Sequence, residues 1–179
     1  MTSEGLDLRT KEGQAELRRR GIRPIPDPDD LTRPYWAGAR LHELRMQRCA
    51  DCRRYQHPPS PRCLACGGEV AWAKLSGRGF IYSFVIVRHL LIPSFDEPYA
   101  VIQVKPIEAD ETALITSNIA GAALGDLYVG MPVEVAFQAV GERVTLPVFR
   151  PAAAAQLRSL GATPPAWRGE PLPQHPPAV

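Results

Sequence analysis

The chain has 179 residues, of which 45% are hydrophobic, and its formal net charge is +2 at pH 7. This composition excludes a disordered chain and suits one ordinary domain or two small ones. The small net charge gives no indication of nucleic-acid binding, although Arg is concentrated in residues 1–66. No apolar run approaches ~18 residues, and the charged N-terminus lacks the apolar core of a secretory signal. We therefore expect a cytoplasmic protein that is not in a membrane.

The first predicted elements are helices. Residues 9–20 form a polar helical pattern with little apolar face, and the prolines in residues 21–30 then predict an extended connector. Thr32 is a candidate N-cap, with Pro34 in the first turn of a second helix that continues through PYWAGARLHEL. The apolar face of this second helix comprises Trp36, Leu41 and Leu44.

All four cysteines lie in one segment, CADCRRYQHPPSPRCLACGG, as two Cys-x-x-Cys pairs. The pairs are Cys49/Cys52 and Cys63/Cys66, with ten residues between them. Two residues between cysteines let one tight turn present both sulfurs to one ion, and Gly67 and Gly68 permit the φ angles that such a turn uses. We predict one structural Zn²⁺ held by four thiolates, with no open position for catalysis.

Other uses of the four thiols are weaker interpretations. Disulfides need an oxidising compartment, and a thioredoxin-like redox motif needs a βαβ context that neither pair has. Iron held as in rubredoxin remains chemically open with the same ligands. With all cysteines on a metal, the chain has no thiol nucleophile, and it contains no Gly-x-Ser-x-Gly, His-Glu-x-x-His or phosphate-loop motif. We therefore predict no catalytic residues and no enzyme activity of the chain by itself.

After residue 68 the pattern changes to strands. Five runs are rich in β-branched and aromatic residues and are separated by glycines and acidic residues: EVAWAKLSGRGFIYSFVIVRHLL, YAVIQVKP, ETALITSNI, MPVEVAFQAV and RVTLPVFR. No convincing long helix follows any of them, and one helix-like insertion, AGAALGDLYVG, lies among them. This order predicts a five-stranded OB-fold barrel, with Gly77 and Gly79 at a corner.

The chain divides into four predicted regions. They are an N-terminal helical segment (residues 1–44), a zinc ribbon (45–73), an OB-fold barrel (74–150) and a C-terminal tail (151–179). Six prolines in residues 164–177 leave no strand or helix pattern in the tail.

Five segments in this order carry a family resemblance: RPYWAGARLHELRMQRCADC, HPPSPRCLACGG, SGRGFIYSFVIV, PYAVIQV and GDLYVGMPVEVAF. Over roughly residues 24–150 the chain resembles the zinc-ribbon/OB-fold family formerly called domain of unknown function thirty-five. The resemblance implies a mainly β fold, in which N-terminal helices and a rubredoxin-like zinc ribbon precede the barrel.

The resemblance also implies a function. Family members are non-catalytic partners of thiolase-fold enzymes that act on acyl-CoA thioesters, in hetero-oligomers that can include an enoyl-CoA hydratase. The setting of a steroid side-chain aldolase, which performs a retro-aldol cleavage, fits this chain best. Arginines flank the first cysteine pair, and we expect them to contact coenzyme A phosphates or the partner. These arginines are Arg45, Arg48, Arg53 and Arg54.

The alternative function is a single-strand nucleic-acid module, because OB folds commonly bind nucleic acid through basic grooves and stacking aromatic side chains. The barrel region carries a net negative charge and few aromatic residues. We therefore expect no nucleic-acid partner.

Overall fold

The computed structural model of the chain describes residues 10, 12, 16, 26–88, 98–110, 112–140 and 144–153. Most of the polar helix predicted over residues 9–20, and the Pro-rich tail after residue 153, lie outside the described residues. Among the described helices, none has the length and apolar character needed to cross a membrane.

The helix predicted after Thr32 forms, but it is shorter than predicted. Helix α1 spans Arg33–Arg40, and Thr32 makes no side-chain capping bond. Asp29 orders the turn before the helix, because its Oδ1 accepts a hydrogen bond of 2.7 Å from the backbone N–H of Thr32, and its carbonyl oxygen accepts one of 2.8 Å from the N–H of Arg33. Thr32 thus occupies the N-cap position, as predicted, but its side chain makes no capping bond.

The helix ends early because His42 adopts a left-handed conformation, with φ of 58°. The N–H groups of His42 and Glu43 donate to the carbonyl oxygens of Ala39 and Gly38, at 3.0 and 2.9 Å. This is the Schellman arrangement, which terminates a helix. The predicted apolar face is consequently divided, since Leu41 is 68% exposed whereas residue 44, also a leucine, is buried.

Three antiparallel strands form the first sheet. They are β1 (Arg45–Cys49), β2 (Tyr55–Gln56) and β3 (Val70–Lys74), in the order β2-β1-β3. The first predicted strand run is therefore two strands, because residues 70–74 pair with β1 and only the later part belongs to the second sheet. We call this three-stranded unit the ribbon sheet.

The second sheet has five antiparallel strands in the order β6-β5-β4-β7-β8. The strands are β4 (Arg78–Val87), β5 (Tyr99–Pro106), β6 (Ile115–Asn118), β7 (Pro132–Ala139) and β8 (Thr145–Pro151). A parallel bridge between Ile119 and Phe149 joins the two outer strands, and the N–H of Ala120 donates to the carbonyl of Phe149 at 2.7 Å. A short 3₁₀ helix, Leu124–Asp126, lies between β6 and β7. The predicted mainly β fold with a five-stranded OB-fold barrel is confirmed.

One hydrophobic core serves both sheets. Alternate residues of β5 face it, as the strict period-two burial of this strand shows. Leu44, Met46 and Leu75, which flank or belong to the ribbon sheet, pack in the same cluster as the barrel residues Ile81 and Phe149. The ribbon sheet is therefore packed directly on the barrel.

Two glycines at the start of β4 allow this junction. Gly77 has φ of +80° and its carbonyl accepts a bond of 2.7 Å from the N–H of Val135. A Cβ at Gly79 would lie 2.5 Å from the carbonyl oxygen of Lys105. Both positions therefore demand glycine, one for its φ angle and the other for the approach of β5.

We expect Gly79→Ala to lower the free energy of unfolding by about 1–3 kcal/mol, because the added methyl meets backbone atoms that cannot move without shifting a strand. Gly125→Ala is the matched control, since a Cβ there meets nothing within 4 Å. Chemical denaturation measures both variants. Equal stability of the two variants would contradict the predicted close contact at Gly79.

Candidate metal centre

The first knuckle, residues 49–54, turns immediately after β1. Cys49 ends that strand, and its N–H donates to the carbonyl of Arg54 at 2.9 Å, which closes the turn. The N–H of Cys52 points at the sulfur of Cys49, at 3.4 Å. Arg53 takes φ of 62°, a left-handed conformation that is uncommon for any residue with a Cβ.

The second knuckle, residues 63–68, repeats this geometry. The N–H of Cys63 donates to the carbonyl of Gly68 at 3.0 Å, and Gly67 has φ of 75°. Gly67 thus corresponds to Arg53, since each lies four residues after the first cysteine of its knuckle. Gly68 serves a different purpose from the predicted one, because it has no positive φ and instead leaves room for the Asp51 carboxylate and for Cys49 Sγ, which would lie 3.2 Å from a Cβ there.

The two knuckles bring all four sulfurs together. The Sγ atoms of Cys49, Cys52, Cys63 and Cys66 lie within 4.8 Å of one another. Cys49 Sγ is 3.5 Å from Cys66 Sγ, and Cys52 Sγ is 3.6 Å from Cys63 Sγ. Zn–S bonds of about 2.3 Å in a tetrahedron place sulfurs about 3.8 Å apart, whereas a disulfide needs about 2.05 Å. The residues therefore fit a single tetrathiolate-bound metal ion, and all four are free cysteines.

The thiols differ in acidity. The backbone N–H groups of Ala65 and Cys66 lower the pKa of Cys63 to about 6. The backbone N–H of Gly68 lowers the pKa of Cys66, but hydrogen bonds with the Cys49 and Cys52 sulfurs raise it overall to about 12. Without a metal the cluster thus shares protons among its sulfurs, and a metal that binds four thiolates displaces them.

Two buried glutamines brace the loop between the knuckles. Gln47 on β1 and Gln56 on β2 are paired in the sheet register, and Gln56 Nε2 donates to Gln47 Oε1 at 2.8 Å. Gln47 Oε1 also accepts from the N–H of Ser60, at 2.8 Å. Gln56 reaches the second knuckle, where its Oε1 accepts from the N–H of Leu64 at 2.9 Å and its Nε2 donates to the carbonyl of Arg62 at 3.2 Å.

Sequence reasoning missed this glutamine pair. Both side chains are nearly fully buried, which is unusual for glutamine and requires hydrogen-bond partners. The positions of the two glutamines gave a hint, because each lies in a short strand-like segment next to the first knuckle. The pairing of β1 with β2, which brings them together, cannot be read from composition.

The structure does not place the four predicted arginines in one patch. Arg45 is bound to Glu43, whose Oε2 accepts from its Nε at 3.0 Å and from its Nη2 at 2.6 Å. Arg48 donates from Nε to the carbonyl of Arg53 at 3.2 Å, and its guanidinium lies 5.3 Å from the ring centroid of Tyr55.

Two hollows flank the first knuckle, and the remaining predicted arginines are distributed between them: Arg48 and Arg53 line one, and Arg54 lines the other. A groove of ≈ 290 Å³ is lined by the metal-site residue Cys49 together with Arg48, Arg53, Trp72 and three alanines. A second hollow of ≈ 260 Å³ is lined by residues of the ribbon and by one barrel-loop residue, including Arg54, His57 and Thr112. Burial lowers the pKa of His57, so its imidazole is a packing group in the wall of this hollow.

Family models match both parts of the chain. Residues 36–71 match the model described as the ChsH2 rubredoxin-like zinc ribbon domain, and residues 72–138 match the ChsH2 C-terminal OB-fold domain.

Two curated relatives are about one-third identical to this chain over the residues that align. A probable enoyl-CoA hydratase alpha subunit of Thermomonospora curvata is 35% identical over 144 residues, which are 79% of this chain and 44% of the relative. The 3-oxo-4,17-pregnadiene-20-carboxyl-CoA hydratase alpha subunit of Mycobacterium tuberculosis is 31% identical over 62% of this chain and 37% of the relative. The chain thus spans less than half of these two proteins.

Two further matches cover most of the related protein. A DUF35 domain-containing scaffold protein of Methanocaldococcus jannaschii is 32% identical over 53% of this chain and 67% of its own length. A solved chain of the Ltp2-ChsH2(DUF35) aldolase is 32% identical, with a TM-score of 0.65 over 72% of this chain and 100% of the solved chain.

We expect the chain, purified without added metal, to contain about one zinc ion per molecule by elemental analysis. Cys63→Ser should lose the metal and unfold the ribbon, because the metal-binding free energy, about 10 kcal/mol in comparable sites, is also folding free energy. A metal-free chain with two mapped disulfides would contradict a metal site. Iron in place of zinc would contradict the zinc assignment.

Gln56→Ala should lower the free energy of unfolding by about 1–3 kcal/mol and speed zinc release to a chelator, because it leaves the N–H of Leu64 and the carbonyl of Arg62 without their partner. Gln138→Ala, at an exposed position of β7, is the control and should change neither quantity. A chromogenic zinc chelator and denaturant titration provide the two measurements. Equal zinc release from both variants would show that the glutamine network does not support the site.

Proposed function

The chain belongs to the ChsH2-type DUF35 family of zinc-ribbon/OB-fold proteins, and from that membership we propose that it is a non-catalytic subunit of a hetero-oligomeric enzyme. Its partner in this proposal is a thiolase-fold subunit that breaks or forms carbon–carbon bonds in acyl-CoA thioesters. The reaction we propose is a retro-aldol cleavage in steroid side-chain degradation. The observation that carries the proposal is the likeness, in sequence and fold, to the whole length of the solved chain from an Ltp2-ChsH2(DUF35) aldolase.

The chemistry of the described residues supports a non-catalytic role. All four thiols of the chain converge on one cluster, and a tetrathiolate zinc keeps no open position for substrate or water. Carbon–carbon cleavage of an acyl-CoA needs a positioned acid or base and stabilisation of an enolate-like charge. In our proposal the thiolase-fold subunit supplies those groups.

A hydratase is a second candidate partner. Two relatives are described as hydratase alpha subunits, and one of them acts on a pregnadiene-carboxyl-CoA according to its name. Because the chain spans less than half of each, the hydratase activity in those names is not assigned to this chain. The steroid part of the name supports the proposed substrate class, and the complex would operate in the cytoplasm, where thiols stay reduced.

The exposed arginines supply two candidate contact surfaces in this proposal. Arg53 lines the groove beside Trp72, and Arg54 lines the hollow beside Thr112. A guanidinium binds either a coenzyme A phosphate or a partner carboxylate with two parallel hydrogen bonds. Because the two arginines face different hollows, single substitutions separate their roles.

We expect co-expression with the thiolase-fold subunit to give a complex that elutes as one species in size-exclusion chromatography. Arg53→Glu or Arg54→Glu should either weaken this complex or raise KM for the CoA thioester about tenfold or more, since a charge reversal replaces attraction with repulsion. Arg33→Glu is the control, because Arg33 is exposed at the N-terminus of α1, where an acidic residue is favourable.

The outcomes distinguish docking from ligand binding. Loss of the complex assigns the residue to docking, whereas an intact complex with raised KM assigns it to the thioester. An intact complex with unchanged kinetics in both variants would remove these arginines from the proposal. Failure of the wild-type chain to form any complex, or acyl-CoA turnover by the isolated chain that a point mutation abolishes, would contradict the proposed function itself.

A further inference from the structure

Among the described strands, none pairs with the outer edge of β3. The order β2-β1-β3 makes β3 an edge strand. The N–H of Ala50 donates to the carbonyl of Glu69 at 2.9 Å, and the N–H of Leu75 donates to the carbonyl of Leu44 at 2.8 Å. These two bonds fix the alternation along the strand, so residues 69, 71, 73 and 75 direct their backbone groups to β1.

The intervening residues, Val70, Trp72 and Lys74, therefore direct their N–H and C=O groups away from the sheet. Within the described segments no strand pairs with this side of β3. The exposed edge thus offers three consecutive sites at which a further strand could exchange backbone hydrogen bonds.

Of the devices that normally protect such an edge, β3 has only a charged residue, Lys74, at its end. Its sequence, VAWAK, contains no proline, and all five residues pair with β1 without a register shift. Lys74 carries the only charge, and its Nζ donates to Glu43 Oε1 at 3.1 Å. The opposite edge strand, β2, is only two residues long, so strand addition is favoured at β3.

The groove beside β3 is basic. Ala71 and Ala73 end at their methyl groups, which leaves the groove open between β3 and the arginines on its other side, Arg48 and Arg53. In the described part of the chain neither arginine takes part in an ion pair, and Arg48 is held in place by the Arg53 carbonyl and the Tyr55 ring. Two guanidinium groups that lack a carboxylate partner among the described residues, one of them pre-positioned, favour an anionic occupant.

Arg53 gives an independent indication. It occupies the left-handed position that the second knuckle fills with Gly67. Glycine adopts this conformation without steric cost, whereas a residue with a Cβ is strained there. The fold alone therefore favours glycine at position 53, and the strained arginine points to a role for its side chain outside the fold.

We propose that an extended, acidic segment of the thiolase-fold subunit pairs with β3 as a fourth strand of the ribbon sheet and places carboxylates against Arg48 and Arg53. This inference rests on the proposed function, which supplies the partner. A peptide strand is favoured over a coenzyme A phosphate because only a peptide matches both the alternating N–H and C=O groups of the edge and the basic groove. Adjacent strands lie about 4.8 Å apart, so a glutamate on the added strand would extend over Ala71 toward the arginines.

Hydrogen exchange at single amides tests the strand pairing, with the full zinc-containing chain measured alone and in complex with the thiolase-fold subunit. The amides of Val70, Trp72 and Lys74 should exchange rapidly in the free chain and about 100-fold more slowly in the complex. The amides of Ala71 and Ala73 should be protected in both states, since they bond to β1. An intact complex in which the three outward amides stay unprotected overturns the proposal.

Two substitutions test the backbone edge separately from the side chain. Trp72→Pro and Trp72→Ala both remove the indole, but only proline removes the outward N–H, which leaves the bonds to β1 intact. Trp72→Pro should weaken the complex about tenfold more than Trp72→Ala in a titration by calorimetry. Equal affinities of the two variants contradict strand pairing.

Arg53→Gly tests the groove without the risk of unfolding. It should leave the melting temperature unchanged or higher, because the strain is relieved, and still weaken the complex about fivefold or more. Unchanged affinity removes Arg53 from the interface and overturns the proposal. Coenzyme A alone is the second probe: if it binds the wild-type chain, is lost in Arg53→Gly and leaves the complex intact, the groove is a phosphate site and the proposal is wrong.

The same experiments separate this inference from the function on which it rests. If the wild-type chain binds no thiolase-fold subunit, the proposed function and the strand pairing both fail. If the wild-type complex forms but all edge and groove variants bind as tightly as the wild type, only the strand pairing fails.

Discussion

The convergence of four sulfurs on one point is the constraint on which the rest of the ribbon depends. The cluster lies at the end of β1, because Cys49 is the last residue of that strand, and three residues earlier Met46 is completely buried in the core shared with the barrel. A bound metal therefore fixes more than the two knuckles. It holds one end of a strand whose middle is packed against the barrel, so the surfaces around the knuckles are positioned relative to the OB fold as well.

The alternation of β1 explains how so short a strand joins an apolar core to a polar one. Met46 faces the barrel, whereas its neighbour Gln47 joins Gln56 and the backbone of the loop between the knuckles. A fully hydrogen-bonded polar network costs little to bury and fixes one geometry, while an apolar pair at these positions would leave the loop N–H groups without acceptors. The loop between the knuckles is thus ordered by side chains of the sheet in addition to the metal.

The sequence was sufficient for features that depend on local pattern. Cys-x-x-Cys spacing indicated the cluster, and β-branched runs separated by glycine indicated the barrel, because both patterns are repeated within a few residues. The sequence was insufficient where a competing local geometry prevailed, as at His42, which takes the left-handed angle usually given to glycine and ends the helix. The sequence also gave no reason to assign Arg53 and Arg54 to different surfaces. In the structure these neighbours in a tight turn line two different hollows.

The positive φ of Arg53 links strain in the backbone to the partner contact that we propose for its side chain. Each knuckle is closed by the same hydrogen bond, from the N–H of its first cysteine to the carbonyl five residues later, so Arg53 and Gly67 can be compared within one molecule. A metal site does not require this strain, because the second knuckle positions its two cysteines with glycine at the equivalent left-handed position. The edge of β3, with which no described strand pairs, is likewise a place where unwanted strand pairing can occur. Arg53 and the β3 edge lie beside the same groove, as expected of the partner-binding surface that we propose.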